Sequence, residues 1–144
     1  MKELQNIAYT AKATATGGRE GSAKSDDGRL DLLLSTPKGL GGDDGQGTNP
    51  EQLFASGYAA CFESAIRHVA QLQKIPLKDA SMTSTVSLYA TPEHGFKLGV
   101  ELHAHITGLS QADAEALVAK AHEVCPYSNA VRGNIEVDIK VIAN

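Results

Sequence analysis

A long amphipathic segment at residues 48–76 constrains the fold of this chain more than any other feature. Asn49 is a favourable N-cap, Pro50 suits the first helical position, and Pro76 ends the segment. The apolar residues recur at the spacing of one helical face. They are Phe54, Tyr58, Cys61, Ala65, Val69 and Leu72. We therefore predict a long helix whose packed face includes Cys61, where the simplest role of a cysteine is that of a small core hydrophobe.

The composition narrows the possible partners and the compartment. A chain of 144 residues is long enough for a core of its own, and we expect a single domain over residues 1–144. The formal net charge of −4 argues against nucleic acid or an anionic membrane as a partner. No apolar run has the length of a transmembrane helix and the first residues lack a secretion signal, so we expect a cytoplasmic protein. In that compartment, two cysteines favour redox, catalytic or metal chemistry over a permanent disulfide.

The region before the helix is predicted to be an antiparallel meander of about three strands. Residues 7–16 alternate with the period of a half-buried strand, and paired glycines then turn the chain. Residues 29–36 contain a run of leucines, which predicts a strand buried on much of both faces. The glycine-rich residues 37–47 form a loop that leads to the helix.

The region after the helix is predicted to contain three strands and a second helix. Residues 81–91 and 95–107 alternate cleanly and form a hairpin. Ser110 is the N-cap of the second helix, Pro126 ends it, and residues 135–142 form a closing strand. The order βββ-α-ββ-α-β contains no βαβ repeat. It therefore predicts an α+β fold with antiparallel sheets and a long central helix.

The two cysteines lie in different predicted settings. Cys125 ends the second helix at a polar turn, which predicts a partly accessible side chain, and a helix C-terminus does not stabilise a thiolate. We therefore expect Cys125 to be a poor first nucleophile and an adequate second one. Cys61 needs a cation from elsewhere to ionise, and the candidate is Arg19, which lies between hairpin glycines.

Three sequence blocks carry a resemblance to a known family. They are ATATGGREG from Ala13, GTNPEQLFASGYAACF from Gly47 and CPYSNAVRGNI from Cys125. Together they resemble the organic hydroperoxide resistance (Ohr) family of the OsmC-like superfamily, over essentially the whole chain. The resemblance implies an OsmC-like intertwined homodimer with active sites at the subunit interface. It also implies a Cys-based peroxidase for organic (alkyl, aryl or fatty-acid) hydroperoxides, with no bound cofactor or metal and with dihydrolipoamide or a lipoylated protein as the dithiol reductant.

The family pattern implies a role for four residues of this sequence. It maps onto Cys61 as the peroxidatic cysteine and Cys125 as the resolving cysteine, with Arg19 and Glu51 as the polar pair that activates Cys61. The Cys61 thiolate would attack the peroxide, and the resulting sulfenic acid would condense with Cys125 to an intramolecular disulfide. The planar donor fork of Arg19 suits both thiolate and peroxide, and Glu51 can hold that fork.

The spacing of Glu51 and Cys61 creates a difficulty for this site. The two residues are ten positions apart, which is about 15 Å along a straight helix. Arg19 could bridge the gap, the helix could break near Gly57, or Glu51 could come from the partner subunit. We expect a break at Gly57, because glycine is a weak helix former. The helix aromatics also suggest a pocket for an alkyl or aryl group, although core packing explains each of them individually; they are Phe54, Tyr58 and Phe62.

Two alternatives come from other functional classes. His122 and Cys125 share one predicted helix, and His103 and His105 share one strand face, so together they could form a Cys/His₃ zinc site. Neither pair has the spacing of a known zinc module, which weighs against that hypothesis. The other alternative is a binding module without enzymatic activity that holds a lipid in the pocket.

Overall fold

The computed structural model describes residues 6–93 and 95–144. The elements in chain order are β1 (Ala13–Thr16), β2 (Ser22–Ser25), β3 (Asp31–Leu33), α1 (Pro50–Leu72), β4 (Asp79–Thr91), β5 (Gly95–Thr107), α2 (Gln111–Val124), α3 (Pro126–Val131) and β6 (Val137–Ala143). The chain divides into two compact units, one ending at Pro50 and the other spanning Glu51–Asn144. Within the described residues, no helix combines the length and the apolar character needed to cross a membrane.

The N-terminal unit contains the predicted antiparallel meander in the order β1-β2-β3. A 3₁₀ turn at Gly18–Glu20 joins β1 to β2, and Gly17 before it has a φ of 79°, a left-handed conformation that glycine adopts without strain. The strands are shorter than predicted. The prediction that the leucine run is buried on both faces is wrong, since Leu33 is 73% exposed and Leu34 is buried. Consecutive strand residues point to opposite faces, so burial of Leu34 leaves Leu33 outside.

The C-terminal unit contains a mixed sheet in the order β4-β5-β6. β4 and β5 form the predicted antiparallel hairpin, paired from Asp79↔Thr107 to Thr91↔Gly95. His94, in the predicted turn, lies outside the described residues. The prediction of purely antiparallel sheets is wrong here, because β6 pairs with β5 in parallel, with Val137 opposite Val100. A parallel return needs a long crossover, and the helices between β5 and β6 supply it.

A short third helix was not predicted. The chain leaves α2 at Cys125 and enters α3 at once, with Pro126 in its first turn. From the sequence, Pro126 is predicted only to end a helix, yet proline also suits the first position of one. The predicted order therefore omits α3. The start of α2 is confirmed, since the Asp113 backbone N–H donates to the side chain of Ser110.

The core of the C-terminal unit lies between the helices and one face of the sheet. Helix α2 buries one apolar face: Ala114, Leu117, Val118 and Ala121. Helix α1 buries a somewhat different stripe than predicted, because Leu72, its last residue, is 69% exposed. Its buried side chains are Tyr58, Phe62, Ala65, Ile66, Val69 and Ala70. On the sheet, alternate residues of β5 complete this core.

The predicted break at Gly57 is wrong, because α1 is continuous from Pro50 to Leu72. The glycine has a different physical reason. A Cβ atom placed on Gly57 would lie 2.5 Å from Tyr127 Oη, closer than real Cβ contacts allow. Gly57 therefore lets the Tyr127 side chain approach the backbone of α1 closely, and the helix tolerates it because the surrounding turns are packed.

Candidate active site

The structure brings the two cysteines together. Cys61 lies near the middle of α1 and Cys125 lies at the corner between α2 and α3. Although they are 64 residues apart in sequence, their Sγ atoms are 3.8 Å apart, and Cys125 is placed to donate a hydrogen bond to Cys61. Both are free thiols. Since a disulfide requires an S–S distance of about 2.05 Å, a small closure would join them.

The exposure of the two cysteines is the reverse of the prediction. Cys61 is partly exposed, whereas Cys125 is 0% exposed and belongs to the core. The reason is the corner itself. The Cys125 N–H donates to the Ala121 carbonyl at 2.8 Å, and the Cys125 carbonyl accepts from the Asn129 N–H at 3.0 Å. With both backbone groups bonded to the flanking helices, the corner is tight and the side chain packs inward.

The electrostatic environment disfavours charge on the pair as a whole. Burial raises the pKa of the Cys61 thiol, negative charge on Cys125 raises it further, and a hydrogen bond from the Tyr127 backbone N–H acts in the opposite direction. Two thiolates this close would repel strongly, so the pair loses one proton far more easily than two. Cys61 is the better site for that single charge, because its sulfur is partly solvated and accepts the Tyr127 hydrogen bond.

Aromatic rings surround the cysteine-bearing turn of α1. Tyr58 and Phe62 are wholly buried, so the suggestion that they line a substrate pocket is wrong and their role is core packing. Phe54 is only partly buried and lies edge-on to Tyr127, with ring centroids 6.0 Å apart. Tyr127 is 36% exposed. The apolar surface available to a ligand in this region is therefore that of Phe54 and Tyr127.

Arg19 and Glu51 occupy different units. Arg19 lies in the 3₁₀ turn between β1 and β2 of the N-terminal unit, and Glu51 lies in the first turn of α1. Both side chains are partly buried. Glu51 and Cys61 are separated by ten residues of unbroken helix, or about 15 Å along its axis. The assignment of Arg19 and Glu51 as the activating pair remains a prediction.

Several groups beside the cysteines are not predicted from the sequence. The Tyr127 N–H acts on Cys61, and Ser128 forms hydrogen bonds with Tyr58 and with His122. These groups come from the first turn of α3 and the end of α2. The signal that could have found the Tyr127 N–H is Pro126, because a helix that starts there leaves the backbone N–H groups of its first turn without an intrahelical acceptor and available to other groups.

The histidines proposed for a zinc site make other contacts. His122 Nδ1 lies 2.8 Å from Ser128 Oγ, and His103 Nε2 lies 2.7 Å from Glu101 Oε1. Across residues 6–93 and 95–144, no group of three or more His, Cys, Asp or Glu side chains is arranged to hold a metal ion.

Comparison with known proteins places this arrangement in a family. The family model for OsmC-like proteins matches residues 41–140, which include both cysteines. An organic hydroperoxide resistance protein of Xanthomonas axonopodis pv. citri (strain 306) is 53% identical over 140 residues, covering 96% of this chain and 98% of the relative. The chain belongs to the organic hydroperoxide resistance family of OsmC-like proteins.

Solved structures of this family share the fold over nearly the whole chain. A crystal structure of an organic hydroperoxide resistance protein from Legionella pneumophila is 69% identical, with a TM-score of 0.93, and the match covers 95% of this chain and 99% of that one. A family member from Vibrio cholerae O1 biovar eltor, crystallised with captopril in one of its active sites, is 52% identical with a TM-score of 0.90. That match covers 95% of this chain and 94% of the Vibrio chain.

Proposed function

We propose that this protein is a thiol-dependent peroxidase that reduces organic hydroperoxides to alcohols. The Cys61 thiolate attacks one peroxide oxygen, the O–O bond breaks, and the other oxygen leaves as an alkoxide that takes a proton to become the alcohol. The sulfenic acid on Cys61 then condenses with Cys125 to a disulfide and water. The names of the family relatives, which refer to resistance to organic hydroperoxides, support this substrate class.

The observation that carries the proposal is the asymmetric sulfur pair. The two Sγ atoms are 3.8 Å apart, one partly exposed and the other wholly buried. A peroxide from solution can reach Cys61, whereas Cys125 is accessible only to its neighbour. The apolar surface of Phe54 and Tyr127 favours a substrate with an alkyl or aryl group over hydrogen peroxide.

Activation of Cys61 is assigned to Arg19 and Glu51. Because burial raises the pKa of Cys61, the thiolate needs a nearby positive charge to form at neutral pH. Arg19 supplies that charge in our proposal and also orients the peroxide, while Glu51 holds the guanidinium. Most of the rate gain comes from this orientation and from charge stabilisation on the leaving oxygen. The reason is that a larger thiolate fraction is worth only about an order of magnitude.

A dithiol completes the cycle. Its first thiolate attacks the Cys61–Cys125 disulfide and its second displaces the mixed disulfide, which restores both cysteines and oxidises the dithiol. We assign this role to dihydrolipoamide or a lipoylated protein in the cytoplasm, with no bound cofactor.

We expect the working form of the protein to be a homodimer. Light scattering at micromolar protein should give about twice the chain mass of 15.1 kDa. A fully active monomer would contradict the dimer.

One assay tests the whole cycle. Consumption of an aryl hydroperoxide is followed with dihydrolipoamide, thioredoxin or glutathione as reductant, and hydrogen peroxide is compared as substrate. We expect turnover to be fastest with dihydrolipoamide and the aryl hydroperoxide. A non-reducing gel of the oxidised protein should show a band near the monomer mass, since the disulfide joins Cys61 and Cys125 of one chain. Unchanged reductant consumption on adding hydroperoxide would favour a binding module instead.

A further inference from the structure

Three polar side chains beside the cysteine pair form a chain of hydrogen bonds that the proposed reaction does not use. Tyr58 Oη lies 2.8 Å from Ser128 Oγ, and Ser128 Oγ lies 2.8 Å from His122 Nδ1. Tyr58 and Ser128 are wholly buried, so water cannot replace a lost partner without entering the core. The His122 ring stacks on Phe62, with centroids 5.9 Å apart, which limits its rotation.

These hydrogen bonds join the same elements as the sulfur pair. Tyr58 precedes Cys61 by three residues in α1, and Ser128 follows Cys125 by three residues in α3. Three residues of helix span about 4.5 Å, close to one turn. The Tyr58–Ser128 hydrogen bond and the Cys61–Cys125 contact are therefore two links, about one turn apart, between α1 and the corner at Cys125.

His122, near the end of α2, is hydrogen-bonded to Ser128 and so links it to that helix. Burial lowers the pKa of His122, the positive charge of Arg132 lowers it further, and Glu123 acts in the opposite direction. The imidazole is therefore neutral at pH 7, with one donor and one acceptor nitrogen. In either tautomer the Ser128 hydroxyl can accept from one neighbour and donate to the other. Ser128 is the shared member, and its loss leaves two partners unsatisfied.

The corner that carries Cys125 is held from a second side by Arg132. Its guanidinium donates to the His122 carbonyl at 2.7 Å and also to the side chain of Asn129. The end of α2 and the first turn of α3 are thus tied to each other, and Ser128 ties both to α1. Cys61 is fixed within a 23-residue helix, so closure of the sulfur pair must come mainly from this corner.

We infer that Ser128, hydrogen-bonded to Tyr58 and His122, is a positioning residue that keeps Cys125 within reach of the oxidised Cys61. The inference rests on the proposed function. The step it serves is the condensation of the Cys61 sulfenic acid with the Cys125 thiol. The S–O bond breaks as the S–S bond forms, and the hydroxyl leaves with the thiol proton as water. Ser128 touches neither reacting atom in this step and acts through the position of the corner.

The test measures how much of the Cys61 sulfenic acid is trapped by a probe and how much condenses to the disulfide. One equivalent of an aryl hydroperoxide is added in the presence of a dimedone-type probe, and mass spectrometry gives the ratio of trapped sulfenic acid to disulfide. Ser128→Ala should raise this ratio about tenfold, and Tyr58→Phe about threefold. The double variant should match Ser128→Ala, because that change already removes the link that Tyr58→Phe removes. The rate of hydroperoxide loss in the first turnover should stay within about twofold of wild type in each.

Two further variants separate positioning from a general loss of stability. Ser110→Ala removes the N-cap at the far end of α2 and should lower stability while leaving the ratio unchanged. Ser128→Thr keeps the hydroxyl and should bring the ratio back towards wild type. An unchanged ratio in folded Ser128→Ala, or an equal rise in Ser110→Ala, would overturn the inference.

A second measurement does not depend on the peroxide reaction. The equilibrium of the cysteine pair with reduced and oxidised glutathione reports the stability of the disulfide relative to the dithiol, to which the placement of the two sulfurs contributes. Ser128→Ala should shift it about tenfold towards the dithiol, and Ser110→Ala should not. If wild type forms neither sulfenic acid nor disulfide with hydroperoxide, the proposed function fails, and this equilibrium still decides on Ser128. An equilibrium that is the same in wild type and Ser128→Ala would overturn the positioning role.

Discussion

The two compact units of this protein differ in how much of their structure is fixed by packing. Among residues 6–50, Leu34 is the single hydrophobic side chain that is buried, and Ile7, Tyr9 and Leu33 are largely exposed. The C-terminal unit, in contrast, has a continuous core of three helices and a three-stranded sheet, and Cys125 is part of it. The C-terminal unit, which has this core, contains both cysteine sulfurs, and the N-terminal unit contains Arg19, the predicted cation.

This difference suggests that the sulfur–sulfur distance and the ionisation of Cys61 depend on different units in the proposed reaction. The distance between the two sulfurs depends on the packing of α1 against the corner at Cys125, which a dense core holds within narrow limits. Ionisation of Cys61 depends instead on a charge that the N-terminal unit is proposed to supply. Substitutions that disturb the corner at Cys125 should therefore damage disulfide formation, whereas substitution of Arg19 should damage the first step, and the following predictions test that separation.

The largest expected effect is in the C-terminal unit. Cys61→Ser should abolish hydroperoxide reduction, because the only accessible nucleophile of the pair is gone. Cys125→Ser should still reduce about one equivalent and then stop with a sulfenic acid that a dimedone-type probe traps. Stoichiometric hydroperoxide consumption and intact mass measure both outcomes. The assignment is reversed if Cys61→Ser keeps the first turnover and Cys125→Ser loses it.

The next effect concerns Arg19 of the N-terminal unit and Glu51 of the C-terminal unit. Arg19→Ala should slow the first step by several orders of magnitude, and Arg19→Lys should be nearly as damaging because a lysine lacks the planar donor fork. Glu51→Ala should be milder alone and nearly silent when Arg19 is already replaced. A double-mutant cycle on the second-order rate constant with an organic hydroperoxide measures this coupling. Additive losses would mean that Arg19 and Glu51 act independently.

A smaller effect concerns pH. Burial raises the pKa of Cys61, so without a compensating cation its thiolate is a minority species at pH 7. In Arg19→Ala, the rate of Cys61 alkylation should rise about tenfold per pH unit until the raised pKa is passed. If Arg19 supplies the proposed charge, the thiolate is already formed in its presence and the rate should change much less. The comparison is made in a Cys125→Ser background, so that only Cys61 reacts; parallel pH profiles would remove Arg19 from the ionisation of Cys61.

The main helices could be predicted from sequence because their signals are local. The apolar spacing of residues 50–72 and the Ser110 cap each lie within a few helical turns. The pairing of Cys61 with Cys125 followed from the family motifs. The exposure of the two cysteines could not be predicted, since it depends on how the Cys125 corner packs against α1, a contact between residues far apart in sequence.

Other features that could not be predicted from the sequence also depend on contacts between distant parts of the chain. Pro126 stops one helix and starts another, and local rules do not reveal that both occur at one residue. The parallel pairing of β6 depends on the path of the whole crossover. Gly57 was expected to break α1 on its propensity, yet tertiary contacts outweigh a propensity cost of about 1 kcal/mol.

The smallest expected effect tests what Gly57 does instead. A methyl group at this position would lie 2.5 Å from Tyr127 Oη, so Gly57→Ala should push the Tyr127 ring away from α1. The Tyr127 backbone N–H is hydrogen-bonded to Cys61, and its displacement should weaken that contact. We expect the first-turnover rate to fall about threefold and stability to fall by about 1 kcal/mol, after allowance for the better helix propensity of alanine.

The matched control for Gly57 removes the other member of the clash. In Gly57→Ala combined with Tyr127→Phe, the hydroxyl oxygen is absent and the nearest remaining ring atom, Cζ, lies 3.1 Å from the new methyl position. A shift of a few tenths of an ångström then suffices, so rate and stability should recover most of their loss. Tyr127→Phe alone keeps the backbone N–H and should change the rate little. If the double variant is as slow as Gly57→Ala, the close approach of Tyr127 does not explain why position 57 is a glycine. The position of Tyr127 would then not affect the reactivity of Cys61 through its contact with Gly57.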